Sequence, residues 1–340
     1  MKGTCHIHIG LHKTGSTSIQ KMLAAEHGRL AAAGFYCALT GRNQSGVAHH
    51  FLAEEVNRRP RSGSSLFEAL ESEVEAQGWP PNVVLTSEAF CTRIHHPRVV
   101  ARLKELSERL GYRPRVMAYV RPQETAIHSV YTQRLKMWTF KGDFESFWPR
   151  VIDDIAWDYE QRFGALFDSD VEVSILPFSR RVIIEGVCRN FLSALGLPQS
   201  SLNGFIEPAR ANVSPGPKAI AAILEVNQEL DARGIKGTRR TLEAVAHVVR
   251  RTNRLIGPEE HQFNALSPAV LERLRARFQN TNARFAVKAF GREWDEVFAE
   301  DLASRRELNI FDPASAKADE RQAFEAFVAD MVEAICELAA

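Results

Sequence analysis

Cysteine is scarce in this chain and nowhere paired. Cys5, Cys37, Cys91, Cys188 and Cys336 stand singly and odd in number among 340 residues. No Cys-x-x-Cys pair or Cys/His cluster has zinc spacing, so the pattern offers neither a disulfide framework nor a zinc motif and predicts buried, reduced thiols. An excess of either charge is also missing. Lys+Arg 43 against Asp+Glu 42 gives a formal net charge of +1, which offers no global field to nucleic acid or to an anionic membrane and requires any anion site to be local. No apolar run reaches the length of a membrane span. Met1-Lys2-Gly3-Thr4 passes straight into a strand-like run without a signal-type apolar segment, which predicts a cytoplasmic protein. Low complexity and internal repeats are absent too. With 45% hydrophobic residues, 25% charged, Gly 20 and Pro 15, the composition is that of a globular chain with a sizeable core. Its length suits one large or two modest domains.

Apolar periodicity alternates between strand and helix over the first half. Residues 4–9, Phe35 to Leu39, Val83–Thr86, Arg115–Val120 and Val171–Leu176 read as short buried strands. Between them, helical spacing begins near Ser16 (Ile19, Met22, Leu23, Leu30) and recurs over 47–58, 65–77, 97–110, 123–138 and 151–166. The alternation predicts an α/β fold, a P-loop-type parallel sheet flanked by helices. Beyond about residue 180 the strand signal ends. Helices are expected over Ile183–Leu195, Lys218–Leu230, Thr241–Leu255, Pro268–Phe278 and Asp319–Leu338. The expected organisation is therefore an α/β core over 1–180 and a helical C-terminal region over 181–340, separate from the core or continuous with it. The stripe Phe324, Phe327, Val328, Met331, Val332, Ile335 and Leu338 is read as packing on the sheet domain.

The strongest local signal lies between the first strand and first helix: Gly10-Leu11-His12-Lys13-Thr14-Gly15-Ser16-Thr17-Ser18. Gly10 and Gly15 allow a tight turn and close approach of the backbone to an anion. The helix N-terminus beyond them supplies unsatisfied N–H groups and the positive dipole end. Lys13 adds a full charge, and Thr14, Ser16, Thr17 and Ser18 add hydroxyls. The Walker A pattern differs, because it places lysine after the second glycine beside a Mg²⁺-binding hydroxyl. A glycine turn followed by a Ser-capped helix would account for Ser16 alone. A second signal closes the strand Arg115–Val120: Arg121-Pro122, with Ser129 eight residues on, about two helical turns or ~12 Å of rise. Arginine at that edge is placed for a second phosphate.

Taken together, these two segments resemble the 5′-phosphosulfate loop and the 3′-phosphate motif of sulfotransferases that use 3′-phosphoadenosine 5′-phosphosulfate (PAPS). The likeness is specific over residues 5–30 and 113–135 and looser over 82–90. In the helical half it is weak, although Arg210-Ala-Asn-Val-Ser214 and Asn282-Ala-Arg-Phe285 are similar to bacterial members. The resemblance implies that Lys13 contacts the phosphosulfate and its bridging oxygen, that Thr14, Gly15, Ser16, Thr17 and Ser18 cradle the 5′-phosphate, and that Arg121 and Ser129 bind the 3′-phosphate. It implies sulfuryl transfer to an acceptor hydroxyl, of a carbohydrate, glycolipid or small metabolite, without a metal ion.

Such a transfer needs a general base. Glu88, at the end of Leu85-Thr86-Ser87-Glu88, stands where cytosolic sulfotransferases carry histidine and where glycan sulfotransferases commonly use glutamate. A helix-capping or ion-paired glutamate is the plainer account of it. His50 ranks second and His49 is its rival, both opening a helix after the polar loop 40–46. His6 and His8 alternate with Cys5, Ile7 and Ile9, as a filled side-chain layer would, and His12 lies in the loop. Arg134, Lys136 and Trp138 are candidates for an acceptor groove or a solvated helix end; Arg239-Arg240 and Arg250-Arg251 read as a solvated face. Two other readings stay open: a P-loop kinase using ATP–Mg²⁺, and a non-catalytic protein that binds adenosine 3′,5′-bisphosphate (PAP).

Overall fold

A computed structural model of the chain describes residues 1–11, 13–58, 66–205, 215–235, 238, 240–245, 262–304 and 307–339. The breaker 59–63, His12, the segment Arg210–Ser214, Arg239, Arg250-Arg251 and the expected helix beyond residue 245 lie outside the described residues.

Five strands form one all-parallel sheet: β1 (Gly3–His8), β2 (Phe35–Cys37), β3 (Asn82–Thr86), β4 (Tyr112–Val120) and β5 (Glu172–Pro177), in the order β2-β3-β1-β4-β5. Val83–Leu85 of β3 and Val116–Val120 of β4 are unbroken apolar runs because both faces of the sheet are covered there. The period of two sends Cys5 and Ile7 of β1, with Val83, Leu85, Val116 and Ala118, into one core layer. That layer is closed by α3 (His50–Asn57), α4 (Leu66–Ala76), α5 (Pro97–Arg109) and α8 (Tyr159–Phe167). On the other face Val84, Met117 and Tyr119 meet Ile19, Met22 and Leu23 of α1 (Ser16–Ala25) and Leu30 of α2 (His27–Ala32). His6 and His8 fill this second layer, almost wholly buried, with His6 Nε2 3.0 Å from Asn82 Oδ1 and His8 Nδ1 2.9 Å from Thr86 Oγ1.

The chain divides into two compact units, neither of them a single stretch. The first comprises Met1–Pro122, Ile155–Ala211 and Phe278–Ser304, and the second Gln123–Asp154, Asn212–Arg277 and Arg305–Ala340. The second unit contains α6 (Gln123–Lys136), α7 (Phe144–Val151) and α12 (Pro217–Ala232). Within it, the stripe expected on the last helix, α16 (Ala318–Ala339), packs on α12: Phe324, Val328, Met331, Val332 and Ile335 are buried, and Lys218 pairs with Glu320 at 2.6 Å.

Several helix boundaries differ from the sequence reading. The helix expected over 151–166 starts only at Tyr159, because Asp158 caps it by accepting the Gln161 amide. A separate α7 precedes it, capped by Asp143 and buried through Phe144, Phe147 and Trp148. The helix expected over 183–195 is two, α9 (Arg180–Glu185) and α10 (Val187–Leu195), parted by Gly186 at φ 103°. The helix expected to end at Phe278 runs on as α13 (Pro268–Phe290), to Gly291 at φ 65°.

Candidate functional site

Parallel register brings the carboxyl ends of the three central strands to one edge. His8 of β1 stands level with Thr86 of β3 and Met117 of β4, and the ladder continues one residue further through Ile9 N–H to Met117 C=O and Ser87 N–H to His8 C=O. Everything that follows β1, β3 and β4 in the first unit therefore emerges at this edge, where open α/β sheets bind ligands.

After β1 the chain makes a turn that only glycine permits. A Cβ on Gly10 would lie 2.3 Å from Ser16 Oγ. Gly15 holds φ +78°, and a Cβ there would meet the Phe178 ring at 3.0 Å. Two hydroxyls brace the turn from within: Thr14 Oγ1 and Ser16 Oγ both donate to the Leu11 carbonyl, at 2.7 and 3.2 Å. Thr17 is exposed and Ser18 half-buried. Gly15 is the N-cap of α1 and so supplies no side-chain cap. Ser18 and Ile19 donate to the Gly15 carbonyl as the helix starts. The earlier amides at this end point out of the helix uncapped, next to the positive end of its dipole.

Lys13 takes φ +67°, a left-handed backbone uncommon for a residue with a long side chain. Its ammonium forms no ion pair among the described residues. Burial, and then the neighbouring Arg121 charge, hold its pKa below the ordinary lysine value. Arg121 braces the same residue: its Nη1 donates to the Lys13 carbonyl at 3.0 Å, and its guanidinium lies 5.7 Å from the centre of the Phe178 ring. Tyr159 Oη donates to the Arg121 carbonyl at 2.8 Å, fixing the backbone at the strand end. Two cations thus converge on one loop, an arrangement that favours an anion between or beside them.

Beyond β3 the chain enters a short 3₁₀ turn, Glu88–Cys91, capped by Ser87, whose Oγ accepts the Ala89 amide at 3.1 Å. The same oxygen lies 2.7 Å from His50 Nδ1. The other ring nitrogen of His50, Nε2, lies 4.0 Å from Glu88 Oε1. Glu88 Oε2 accepts a 2.5 Å hydrogen bond from Gln20 Nε2 of α1. His50 and Glu88 are 32% and 27% exposed, open enough to meet a substrate. His49 is placed differently. Its Nδ1 accepts the Thr86 amide at 3.0 Å, its Nε2 donates to the Ala38 carbonyl at 2.8 Å, and burial pushes its pKa down to about 4. Both its nitrogens are used in joining β3 to the end of β2. Sequence reading passed over Gln20 and Ser87. The signal for Gln20 was there to find: a polar residue inside the apolar stripe Ile19, Met22, Leu23.

Ser129 is half-buried on α6, in the second unit. In that unit Glu124 of α6 pairs with Arg275 at 2.9 Å, and His128 Nε2 accepts the Ala265 amide at 3.1 Å. Trp138 is buried at φ 52°, whereas Arg134 is exposed in the last turn of α6, its guanidinium 5.6 Å from the Phe147 ring centre. Among the described residues no group of three or more His, Cys, Asp or Glu is placed to hold a metal ion, and no helix is long and apolar enough to cross a membrane. Comparison of the chain with protein-family models, with curated proteins and with solved structures finds no match.

Proposed function

We propose that the chain is a sulfotransferase that moves a sulfuryl group from PAPS to an acceptor hydroxyl, the acceptor being a carbohydrate, a glycolipid or a small metabolite. The observation that carries this reading is the uncapped start of α1, flanked by Lys13 and Arg121, at the sheet edge where Glu88 and His50 also emerge. The donor set fits a phosphate: outward amides, a glycine where a Cβ would fill the turn, and a half-buried ammonium without an ion pair. The 5′-phosphosulfate is assigned to Lys13 and to the backbone of Thr14, Gly15, Ser16, Thr17 and Ser18. Arg121 is assigned the 3′-phosphate, and Ser129 joins it on the sequence motif alone.

Bound PAPS supplies an activated sulfur whose bond to the bridging phosphate oxygen breaks as the bond to the acceptor oxygen forms. The chain's own groups act at the two ends of that exchange. Lys13 and the α1 amides meet the negative charge that develops on the leaving phosphate, and they are fixed before the reaction, so no reorganisation opposes it. Glu88 takes the proton of the acceptor hydroxyl, with His50 Nε2 4.0 Å from its other oxygen.

Calorimetric titration with PAP and with ATP–Mg²⁺, side by side in moderate salt, tests the donor. Tight PAP binding with feeble ATP binding is expected, and labelled PAPS then identifies acceptors. A preference for ATP–Mg²⁺ would overturn the reading in favour of a kinase. PAP binding without transfer to any acceptor hydroxyl would leave a PAP-binding protein.

A further inference from the structure

The general base assigned above does not stand alone at the sheet edge. Gln20 is 4% exposed, on the second turn of the helix whose first turn is the phosphate-binding end. Its position is four residues from Ser16, ~6 Å along the axis. A carboxylate offers only acceptors, so at the 2.5 Å contact the Gln20 amide nitrogen must be the donor, and this fixes the orientation of the side-chain amide. A buried glutamine in an apolar stripe loses solvation that a hydrophobic residue would not, and its bond to a carboxylate is what offsets that loss. Gln20 is thereby the direct side-chain link between α1 and Glu88.

Resting on the sulfotransferase reading, we infer that Gln20 is a positioning residue: it aims the Glu88 carboxylate, keeps it ionised, and holds it in fixed register with the phosphate loop. Among the described residues, the titratable groups that face Glu88 include His50 of α3, 4.0 Å from its other oxygen, and His8 of β1. Burial lowers His8 to about 4, so it is neutral at physiological pH and adds no charge there. Gln20 donates to Glu88 whatever the protonation state of the histidines around it. In-line transfer requires the base and the leaving phosphate to be held on opposite sides of one sulfur atom, and a single helix that orders both meets that requirement without a moving part.

The test is Gln20→Met, which keeps length and apolar fit beside Ile19, Met22 and Leu23 but removes the donor. The carboxyl signal of Glu88, followed by NMR in ¹³C-glutamate-labelled protein and assigned with Glu88→Gln, is expected to titrate about one unit higher in the variant than in the wild type. PAP affinity, measured by calorimetry, is expected to stay within about twofold, since the phosphate donors are untouched. Where an acceptor is in hand, the acid limb of kcat shifts up by the same interval, and Gln20→Met costs nothing further in a Glu88→Gln background. An unchanged Glu88 titration overturns the inference, as does a loss of PAP binding equal to the loss of activity. Gln20→Glu is the second variant: it keeps the shape and sets a carboxylate against Glu88, and it must raise the Glu88 midpoint further than Gln20→Met if contact with Glu88 is the cause. Absence of PAP binding by the wild-type protein, with the Glu88 shift intact, would instead sink the sulfotransferase reading and leave the pairing standing.

Discussion

Lys13 combines three features that pull against stability: a left-handed backbone, partial burial and a cationic neighbour. Residues held this way persist where the surroundings over-determine them, and here the Arg121 bond to the Lys13 carbonyl does so. Lys13→Ala is expected to lower turnover by about 10²–10³, the usual cost of one lost transition-state donor, with unfolding midpoint unchanged or raised. Near-normal turnover would remove Lys13 from the chemistry. Arg121→Ala is expected to weaken PAP far more than adenosine 5′-phosphate, because only PAP carries the 3′-phosphate. The bond from Arg121 to the loop adds a smaller loss that both ligands share. Calorimetry on the two nucleotides separates these contributions, and equal losses would reduce Arg121 to a loop brace.

At the scale of elements, the glycine turn and α1 behave as one piece. Gly10 approaches Ser16 so closely that a methyl group must displace the Ser16 hydroxyl from its bond to the Leu11 carbonyl. Gly10→Ala is therefore expected to cost about 1–3 kcal/mol of stability and at least tenfold in PAP affinity, read by thermal unfolding and by calorimetry. Gly28→Ala is the matching control. It lies inside α2 with no atom within 4 Å of the added Cβ, and helix propensity predicts a gain of about 0.5–1 kcal/mol with PAP affinity unchanged. A Gly10→Ala protein as tight and as stable as the wild type would show that the turn is not tight in solution.

On the scale of the molecule, the first unit carries buried neutral histidines. His8 and His49 are both pushed from the ordinary 6.5 down to about 4 by burial, and His6 is lowered in the same direction. Their folded pKa values lie below the unfolded one, so between these limits the unfolded chain binds more protons and stability rises with pH. The stabilisation is complete above about pH 6.5 and is lost as pH falls toward 4. Between pH 6.5 and 5, where most carboxylates remain ionised, His8 and His49 together give a slope of about 2–3 kcal/mol per pH unit. Urea unfolding of the first unit at intervals across that window checks it. A flat profile would mean that neither histidine is buried as described.

The parallel sheet was legible because strands buried on both faces must be continuous apolar runs, and five such runs separated by helical spacing leave few other folds. The glycine turn before α1 was legible for a similar reason: glycines, a lysine and a helix start act through neighbours in the chain. Helix boundaries were less so, since Asp143, Asp158 and Gly186 decide them through single capping contacts that apolar periodicity does not register. The placement of Glu88, His49 and His50 lay beyond the sequence altogether. The two histidines are adjacent, and only the packing of α3 against β3 and its 3₁₀ turn sends one ring into backbone bonds and the other to Ser87 and Glu88. Gln20 meets Glu88 across 68 residues of chain, through the strand register that sets β1 beside β3. Local spacing determined the glycine turn and the layers of the sheet. Tertiary structure decided which polar groups face one another, because a hydrogen bond depends on distances of a few tenths of an ångström between elements that the sequence places far apart.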